Sequence, residues 1–185
     1  MNFFYPLVYI VFSISGILRL SAQTPRYYCD SGEVHFISDA PLEIIEASSN
    51  TLKGILDPST RQFAFSIDIM SFVGFNSALQ REHFRENYME ISQFTTATFE
   101  GKIIEQVDFS QTGTYSIRAK GKMKIHGQTQ EIIIPCQLAM DGTALIATSE
   151  LLIRLADYNI AIPKVVSRKI AEEVKVTVQA EFKTR

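Results

Sequence analysis

The clearest pattern in the chain is an alternation of apolar and polar side chains between residues 114 and 140. From Thr114 to Ile125, apolar residues alternate with hydroxyl and basic residues, and a glycine-containing turn follows at residues 126–129. Beyond the turn, the apolar residues again fall on one face: Ile132, Ile134, Cys136, Leu138 and Met140. Because successive side chains of a strand point to opposite faces, the pattern predicts two long one-sided strands. Such a hairpin must bury its inner face.

Shorter alternating segments recur along the rest of the chain. The last is the most regular, with Val174, Val176 and Val178 opposite charged and polar residues. The other predicted strands cover residues 32–38, 42–48, 52–56, 62–69, 95–104 and 143–155. Roughly eight strands at this spacing favour a closed antiparallel barrel, with a β-sandwich as the alternative.

One segment between the predicted strands does not alternate. Residues 77–89 are rich in helix formers and place Leu79, Phe84 and Tyr88 near one side, which predicts a short surface helix inserted into the barrel.

The segment just before this helix, residues 70–75, is more apolar than a loop requires. We expect its Phe72 and Phe75 to lie at the barrel mouth beside Phe84 and Tyr88, as a flap over the opening. A hydrophobic patch tucked under the helix explains the same residues equally well.

The first 22 residues have the features of a secretory signal. Phe3 to Leu18 is apolar and nearly uncharged, and small residues at 21–22 suit cleavage after Ala22 or one residue later. An uncleaved anchor is the alternative, but the apolar stretch is short of the roughly 20 residues needed to span a bilayer. The signal predicts a periplasmic or secreted protein, with no membrane span after cleavage. Residues 23–185 then form one barrel domain.

Charge, histidine spacing and missing motifs argue against several classes of function. The chain has 185 residues and a formal net charge of -2, so nucleic acid is a poor partner. The three histidines, His35, His83 and His126, lack the spacing of a metal site. Nucleophile, phosphate-loop and dinucleotide motifs are missing from the sequence. We therefore expect a protein that is not an enzyme, with no catalytic residue, metal or cofactor. His126 is predicted to fix its turn through a hydrogen bond.

Two cysteines, Cys29 and Cys136, are the only ones in the chain. In an exported protein they could pair, which would stabilise the fold by roughly 2–4 kcal/mol. The alternative is a small buried thiol at 136 and an unpaired one at 29.

The order of motifs resembles the YceI-like lipid/polyisoprenoid-binding family from about Gly32 to Phe182. The matching stretches are Gly32-Glu33-Val34-His35-Phe36, Arg81-Glu82-His83-Phe84-Arg85, Phe94-Thr95-Thr96-Ala97-Thr98-Phe99, the hairpin Gly121–Pro135, and Arg154-Leu155-Ala156-Asp157-Tyr158-Asn159-Ile160. The resemblance implies an exported eight-stranded antiparallel barrel, lipocalin-like in shape, whose apolar lumen takes a long isoprenoid chain.

Alternation and this resemblance together predict the residues of a ligand tunnel and its mouth. They are Phe65, Ile67, Phe72, Phe75, Phe84, Tyr88, Phe99, Tyr115, Ile117, Met123, Ile134 and Val178. The same side chains could instead fill a solid core. Small residues at Ala119 and Gly121 favour open volume.

Three arginines are candidates to receive a ligand headgroup, although ordinary surface arginines explain them as well: Arg81, Arg85 and Arg154. A ligand-free interaction barrel remains an alternative function, and a lipid cyclase or isomerase, using Tyr115 beside a carboxylate, a weaker one. The sequence leaves the oligomeric state open, a homodimer included.

Overall fold

In a computed structural model, which describes residues 25–142 and 144–184, the chain forms a closed barrel of eight antiparallel strands. Each strand pairs with the next, and the last pairs with the first. The strands are β1 Tyr27–Ala40, β2 Glu43–Asp57, β3 Gln62–Asp68, β4 Thr96–Ile103, β5 Gly113–Ile125, β6 Gln128–Asp141, β7 Ala144–Arg154 and β8 Glu173–Thr184. The barrel prediction is confirmed, and the sandwich alternative is wrong. The predicted signal at residues 1–22 lies outside the described residues.

The β5–β6 hairpin is tighter than the sequence suggested. Ile125 pairs directly with Gln128, so the turn consists of two residues and not four. Its residues, His126 and Gly127, have φ angles of 48° and 72°. Positive φ at both positions is the signature of a type I′ turn, whose twist matches that of the flanking strands.

The expectation of two separate strands at residues 42–48 and 52–56 is wrong, because β2 runs through both. The polar residues between them do not break the strand, since their hydroxyl groups find partners. Ser49 is buried, and its hydroxyl lies 2.6 Å from that of Ser71 and 3.1 Å from that of Thr51. Satisfied hydroxyl groups remove the cost of burying polar atoms in the wall.

The predicted helix is present, and the segment that leads into it pairs with an unpaired part of the barrel wall. Strand β3 is short, so β2 pairs with it only at residues 53–57. The chain between β3 and β4 fills the remaining edge of β2, with Val73 exchanging two backbone hydrogen bonds of 2.8 and 2.9 Å with Ser48. Helix α1, Ala78–His83, follows and continues into a π-helical turn, Phe84–Tyr88. The Ser77 hydroxyl caps α1 by accepting from the Gln80 backbone N–H.

Both cysteines are free thiols. Cys29 is buried on β1, where its Sγ lies 3.7 Å from the Leu52 carbonyl. Cys136, on β6, is only partly buried. The disulfide prediction is therefore not supported, and the alternative is right about two free thiols but wrong about which is buried, because the buried thiol is Cys29.

The end of the barrel at the β2–β3, β4–β5 and β6–β7 turns is densely packed. We call it the solid half. Its inward side chains are nearly inaccessible to water: Cys29, Leu56, Phe63, Ile103, Ile117, Leu138, Met140, Leu145 and Phe182. Within the described residues, no helix has the length and apolar character needed to cross a bilayer.

Candidate ligand site in the hollow half of the barrel

The opposite end of the barrel encloses a cavity of about 580 Å³. We call this end the hollow half. Every strand contributes to its lining, mostly with aliphatic or small side chains: Val34, Ile45, Leu52, Ile67, Ile69, Ala97, Ala119, Met123, Ile125, Ile134, Ala147, Leu151, Ile153, Val174, Val176, Val178 and Ala180. Several of these, such as Met123 and Val176, are only half-buried because they face the empty space. A cavity of this size is in the range of sites that hold a single small-molecule ligand.

Four phenylalanines form the floor between the two halves. Phe65 and Phe99 face the cavity. Below them, Phe63 packs on both rings, with centroid distances of 5.9 and 5.0 Å, and Phe182 meets Phe65 edge-on at 5.7 Å. Gly54 makes the close fit possible, since a Cβ there would lie 2.6 Å from the Phe65 ring. The cavity therefore ends on a fixed aromatic surface.

A second aromatic cluster forms one side of the cavity. Phe36 of β1 contacts three rings from the segment between β3 and β4, at centroid distances of 5.5 Å to Phe72, 6.0 Å to Phe75 and 5.5 Å to Phe84. All four rings line the cavity, and Phe72 is also buried. These rings therefore both line the cavity and pack against one another, and their role as a flap over the opening remains a prediction.

Polar groups gather at the mouth. Glu43, Gln80, His83 and Lys169 line the opening. Gln80 Nε2 donates to Glu43 Oε1 at 3.0 Å, and Lys169 Nζ lies 4.0 Å from Glu43 Oε2. These side chains can present both positive and negative charge to a group at the mouth, whereas the deeper lining is mostly apolar, with Ser149 as a polar member.

A segment that crosses the mouth, residues 163–170, is tied to the β1–β2 turn; we call it the mouth strap. The Leu42 N–H donates to the Arg168 carbonyl at 2.9 Å, and the Ala171 N–H just beyond the strap donates to Ser38 Oγ at 2.9 Å. Val166, Lys169 and Ile170 of the strap line the cavity. The sequence analysis missed this segment because it lacks regular periodicity.

The predicted tunnel residues divide by depth. Those that line the cavity are Phe65, Ile67, Phe72, Phe75, Phe84, Tyr88, Phe99, Met123, Ile134 and Val178. Tyr115 and Ile117 do not line it, because they lie nearer the start of β5, in the solid half. Alternation identified their inward direction but not their position along the barrel axis.

The two small residues singled out on β5 have different roles. Ala119 lines the cavity. Gly121 instead pairs with Gly101 of β4 in a close approach of two backbones, where an added Cβ would lie 2.3 Å from the Glu100 carbonyl oxygen. Gly121 therefore serves strand packing and adds no room for a ligand, contrary to expectation.

None of the three arginines predicted as headgroup candidates belongs to the described residues that line the cavity. Arg154 pairs with Glu173 at 3.3 Å on the outside of the barrel, and an Arg85 guanidinium nitrogen donates to the Met70 carbonyl. The basic side chains that line the cavity at its mouth are instead Lys169 and His83.

His126 fixes the hollow end as predicted, through a buried hydrogen bond. Its Nδ1 lies 3.1 Å from the Tyr158 carbonyl oxygen, and its Nε2 lies 3.6 Å from Glu90 Oε1. Phe94 packs edge-on against the imidazole at 4.7 Å. One side chain thus joins the β5–β6 turn to the segments before β4 and after β7.

The interior is suited to burial of apolar surface. Among the described residues there is no group of three or more side chains that could hold a metal ion. Burial raises the pKa of the Cys136 thiol, which lines the cavity, to about 11, so that thiol stays protonated at neutral pH and is a poor nucleophile. Burial also raises the pKa of Tyr88.

Solved structures of other proteins share this fold. A polyisoprenoid-binding domain from Saccharophagus degradans implicated in plant cell wall breakdown aligns with a TM-score of 0.73 at 16% identity, covering 88% of this chain and 100% of that one. BcnA from Burkholderia cenocepacia aligns with a TM-score of 0.65 at 18% identity, covering 81% and 95%. The Campylobacter jejuni YCEI protein aligns with a TM-score of 0.53 at 14% identity, covering 70% and 77%.

By sequence, no curated protein is similar enough to this chain to count as a match. The model of the YceI-like domain, however, matches residues 33–182. That match includes all eight strands of the barrel in whole or large part. The chain therefore belongs to the YceI-like domain family.

Proposed function

We propose that this protein binds a polyisoprenoid, or a similar amphiphile with one long apolar chain, in the hollow half of its barrel. The observation that carries the proposal is a cavity with an apolar interior, an aromatic floor at one end and polar side chains at the other. A chain would enter tail first and stop at Phe65 and Phe99, with its headgroup beside Lys169, His83 and Gln80.

Burial of the chain supplies the binding free energy. Each Å² of apolar surface removed from water contributes roughly 25 cal/mol, and half-buried side chains such as Phe36, Met123 and Val178 offer that surface. Methionine and flat rings adapt to a repeating alkene chain because they offer soft, non-directional contacts. The polyisoprenoid-binding domain from Saccharophagus degradans has the same fold and supports this choice of ligand.

Binding without chemistry fits the interior better than catalysis does. A cyclase or isomerase would need an acid or base among the deep lining residues. The Tyr115 suggested for that role lies outside the cavity lining, and the Ser149 hydroxyl, which does line it, already donates a hydrogen bond to the Pro135 carbonyl. The signal predicted at residues 1–22 supports export, so we place the protein in the periplasm or outside the cell, where it would hold or carry its lipid.

Native mass spectrometry of the protein purified from its own compartment, followed by lipid extraction, tests the proposal. We expect a bound species that extraction identifies as a polyprenyl compound, and the same spectra report the oligomeric state. An unbound mass that does not change after incubation with isoprenoid quinones and polyprenyl phosphates would contradict it. That outcome would favour a ligand-free barrel whose outer surface binds other proteins.

A further inference from the structure

Exposed hydrophobic side chains concentrate around the cavity mouth. The large exposed hydrophobic residues of the described chain are Leu42, Ile44, Met70, Val73, Leu79, Ile104, Ile133, Leu152 and Val165. Leu42 and Ile44 belong to the β1–β2 turn and the start of β2, Leu79 to α1, and Val165 to the mouth strap, which all border the opening. Val165 is 89% exposed. The loops at the solid end contribute only Ile104 to this set.

These side chains form one surface with the cavity. Leu79 is 60% exposed and also lines the cavity. The backbone bond from Leu42 to Arg168 holds the β1–β2 turn against the strap, and the Asn76 side chain donates to the Ile44 carbonyl at 2.8 Å, which holds the approach to α1 against β2. An apolar chain leaving the cavity would pass directly over exposed apolar side chains.

The mouth strap is basic although the chain as a whole is acidic. The strap contains Lys164, Arg168 and Lys169 and no acidic residue, whereas the chain has a net charge of -2. Lys169 faces Glu43 at 4.0 Å. Within the described residues, no ion pair involves Lys164 or Arg168.

A second basic surface provides a contrast. On the outer face of β5, Arg118 and Lys120 form ion pairs with Glu105 and Glu131 at 2.7 and 3.2 Å. The register also sets Lys122 opposite Glu100 and Glu131. The charge of the β5 face is therefore largely compensated, and the charge of the strap is less so.

From this arrangement we propose that the mouth docks on a lipid bilayer that contains anionic lipids. Val165 and Leu79 enter the headgroup region, while Lys164 and Arg168 contact lipid phosphates. This combination of exposed apolar tips and nearby cations is what interfacial binding requires. The proposal deepens the proposed function, on which it rests, because docking would let an amphiphile pass between bilayer and cavity without crossing water.

Co-sedimentation with vesicles tests the docking. We would compare vesicles of phosphatidylcholine alone with vesicles that also contain phosphatidylglycerol. We expect the wild-type protein to bind the anionic vesicles. The double variant Lys164→Glu/Arg168→Glu should bind them at least about twenty-fivefold more weakly, since each of the two cations near an anionic surface contributes about a fivefold factor.

A matched variant distinguishes the mouth from general charge. Lys102→Glu/Lys183→Glu makes the same change in net charge at the solid end, where both side chains are exposed, and should leave vesicle binding within about threefold of wild type, because that end lies opposite the proposed contact. Equal loss in both double variants, or no binding by the wild-type protein, would overturn the docking proposal.

Fluorescence locates the contact, since the chain contains no tryptophan. Val165→Trp should shift its emission to shorter wavelength when anionic vesicles are added, as the indole enters a less polar region. Ile104→Trp, at the solid end, should not shift. The reverse result, or two equal shifts, would contradict docking by the mouth.

Loading from detergent separates this proposal from the proposed function. Lys164 and Arg168 lie outside the cavity lining, so their double variant should still bind an isoprenoid quinone supplied in detergent. If no variant binds quinone but the wild-type protein still docks on vesicles, the lipid-holding function fails and docking stands. If quinone binds but vesicles do not, docking alone fails.

Discussion

The two halves of this barrel share the same strands yet differ in what those strands enclose. In the solid half, large side chains such as Phe182, Leu145 and Leu138 meet at the axis and are 1%, 0% and 2% exposed. In the hollow half, Ala97, Ala119 and Ala147 occupy inward positions and leave a cavity of about 580 Å³. Side-chain volume, and not backbone architecture, thus decides which half can hold a ligand.

The halves are also stabilised differently. The solid half depends on close packing, which accounts for most of the apolar burial in a small domain. The hollow half lacks that packing at its centre, so its stability depends on contacts within the barrel wall. These contacts include the four-ring cluster around Phe36, the His126 hydrogen bond to Tyr158 and the backbone hydrogen bond between Leu42 and Arg168.

Truncating one phenylalanine in each half should produce the largest difference in stability between the two halves. Phe182→Ala removes a ring that is 1% exposed and should lower the free energy of unfolding by about 3–5 kcal/mol. Phe99→Ala removes a half-buried ring that faces the cavity, and should cost no more than about 2 kcal/mol. Urea denaturation followed by circular dichroism measures both. Equal losses would mean that the hollow half is packed as tightly as the solid half.

Substituting one turn glycine in each half should produce a smaller difference in stability. Gly127, in the hollow end, has φ 72°, and an added Cβ would lie 2.6 Å from the Phe94 ring. Gly142, in the solid end, has φ 60°, and an added Cβ would meet no described atom within 4 Å. Both alanine variants pay roughly 1–2 kcal/mol for left-handed backbone. We expect Gly127→Ala to lower the free energy of unfolding further, because it also displaces Phe94. Identical melting temperatures in the two variants would argue against a rigid His126–Phe94 contact.

Acid should weaken a turn of the solid end. The Asp57 carboxylate accepts hydrogen bonds from the Ser59 hydroxyl and from the backbone N–H groups of Ser59 and Thr60, which lower its pKa to about 2. A lowered pKa in the folded state adds stability above the unfolded value of 3.8 and loses it as pH falls toward 2. The stability difference between wild type and Asp57→Asn should therefore shrink over that interval in denaturation experiments. A difference that is independent of pH would contradict the assignment.

Alkali should weaken the hollow half. Burial raises the pKa of Cys136 from 9.0 to about 11, so its contribution to stability is complete below pH 9 and declines as pH rises toward 11. The wild-type protein should lose stability in this range relative to Cys136→Ala, measured by denaturation at several pH values. Parallel pH profiles would show that the thiol is more accessible to water than the structure indicates.

Sequence reasoning predicted the fold well because alternation depends only on which way a side chain points. It predicted the site incompletely, because depth along the axis depends on register and strand tilt. Ile117 and Ala119 are two residues apart on one inward face, yet only Ala119 lines the cavity. Lys169 lies in the mouth strap, a segment without regular alternation. Its position at the mouth depends on the hydrogen bonds that hold the strap in place, and the sequence pattern does not reveal those bonds. The continuity of β2 depended on a distant hydroxyl, that of Ser71.

Filling the cavity tests the central claim most directly. Ala97 faces the cavity, and its neighbour Thr96 is exposed and outside the lining. Native mass spectrometry would compare isoprenoid quinone binding to Ala97→Phe and Thr96→Phe, after circular dichroism has established that both fold. We predict that Ala97→Phe loses the ligand and that Thr96→Phe binds it as wild type does. Undiminished binding by Ala97→Phe would contradict the claim that the hollow half is the ligand site.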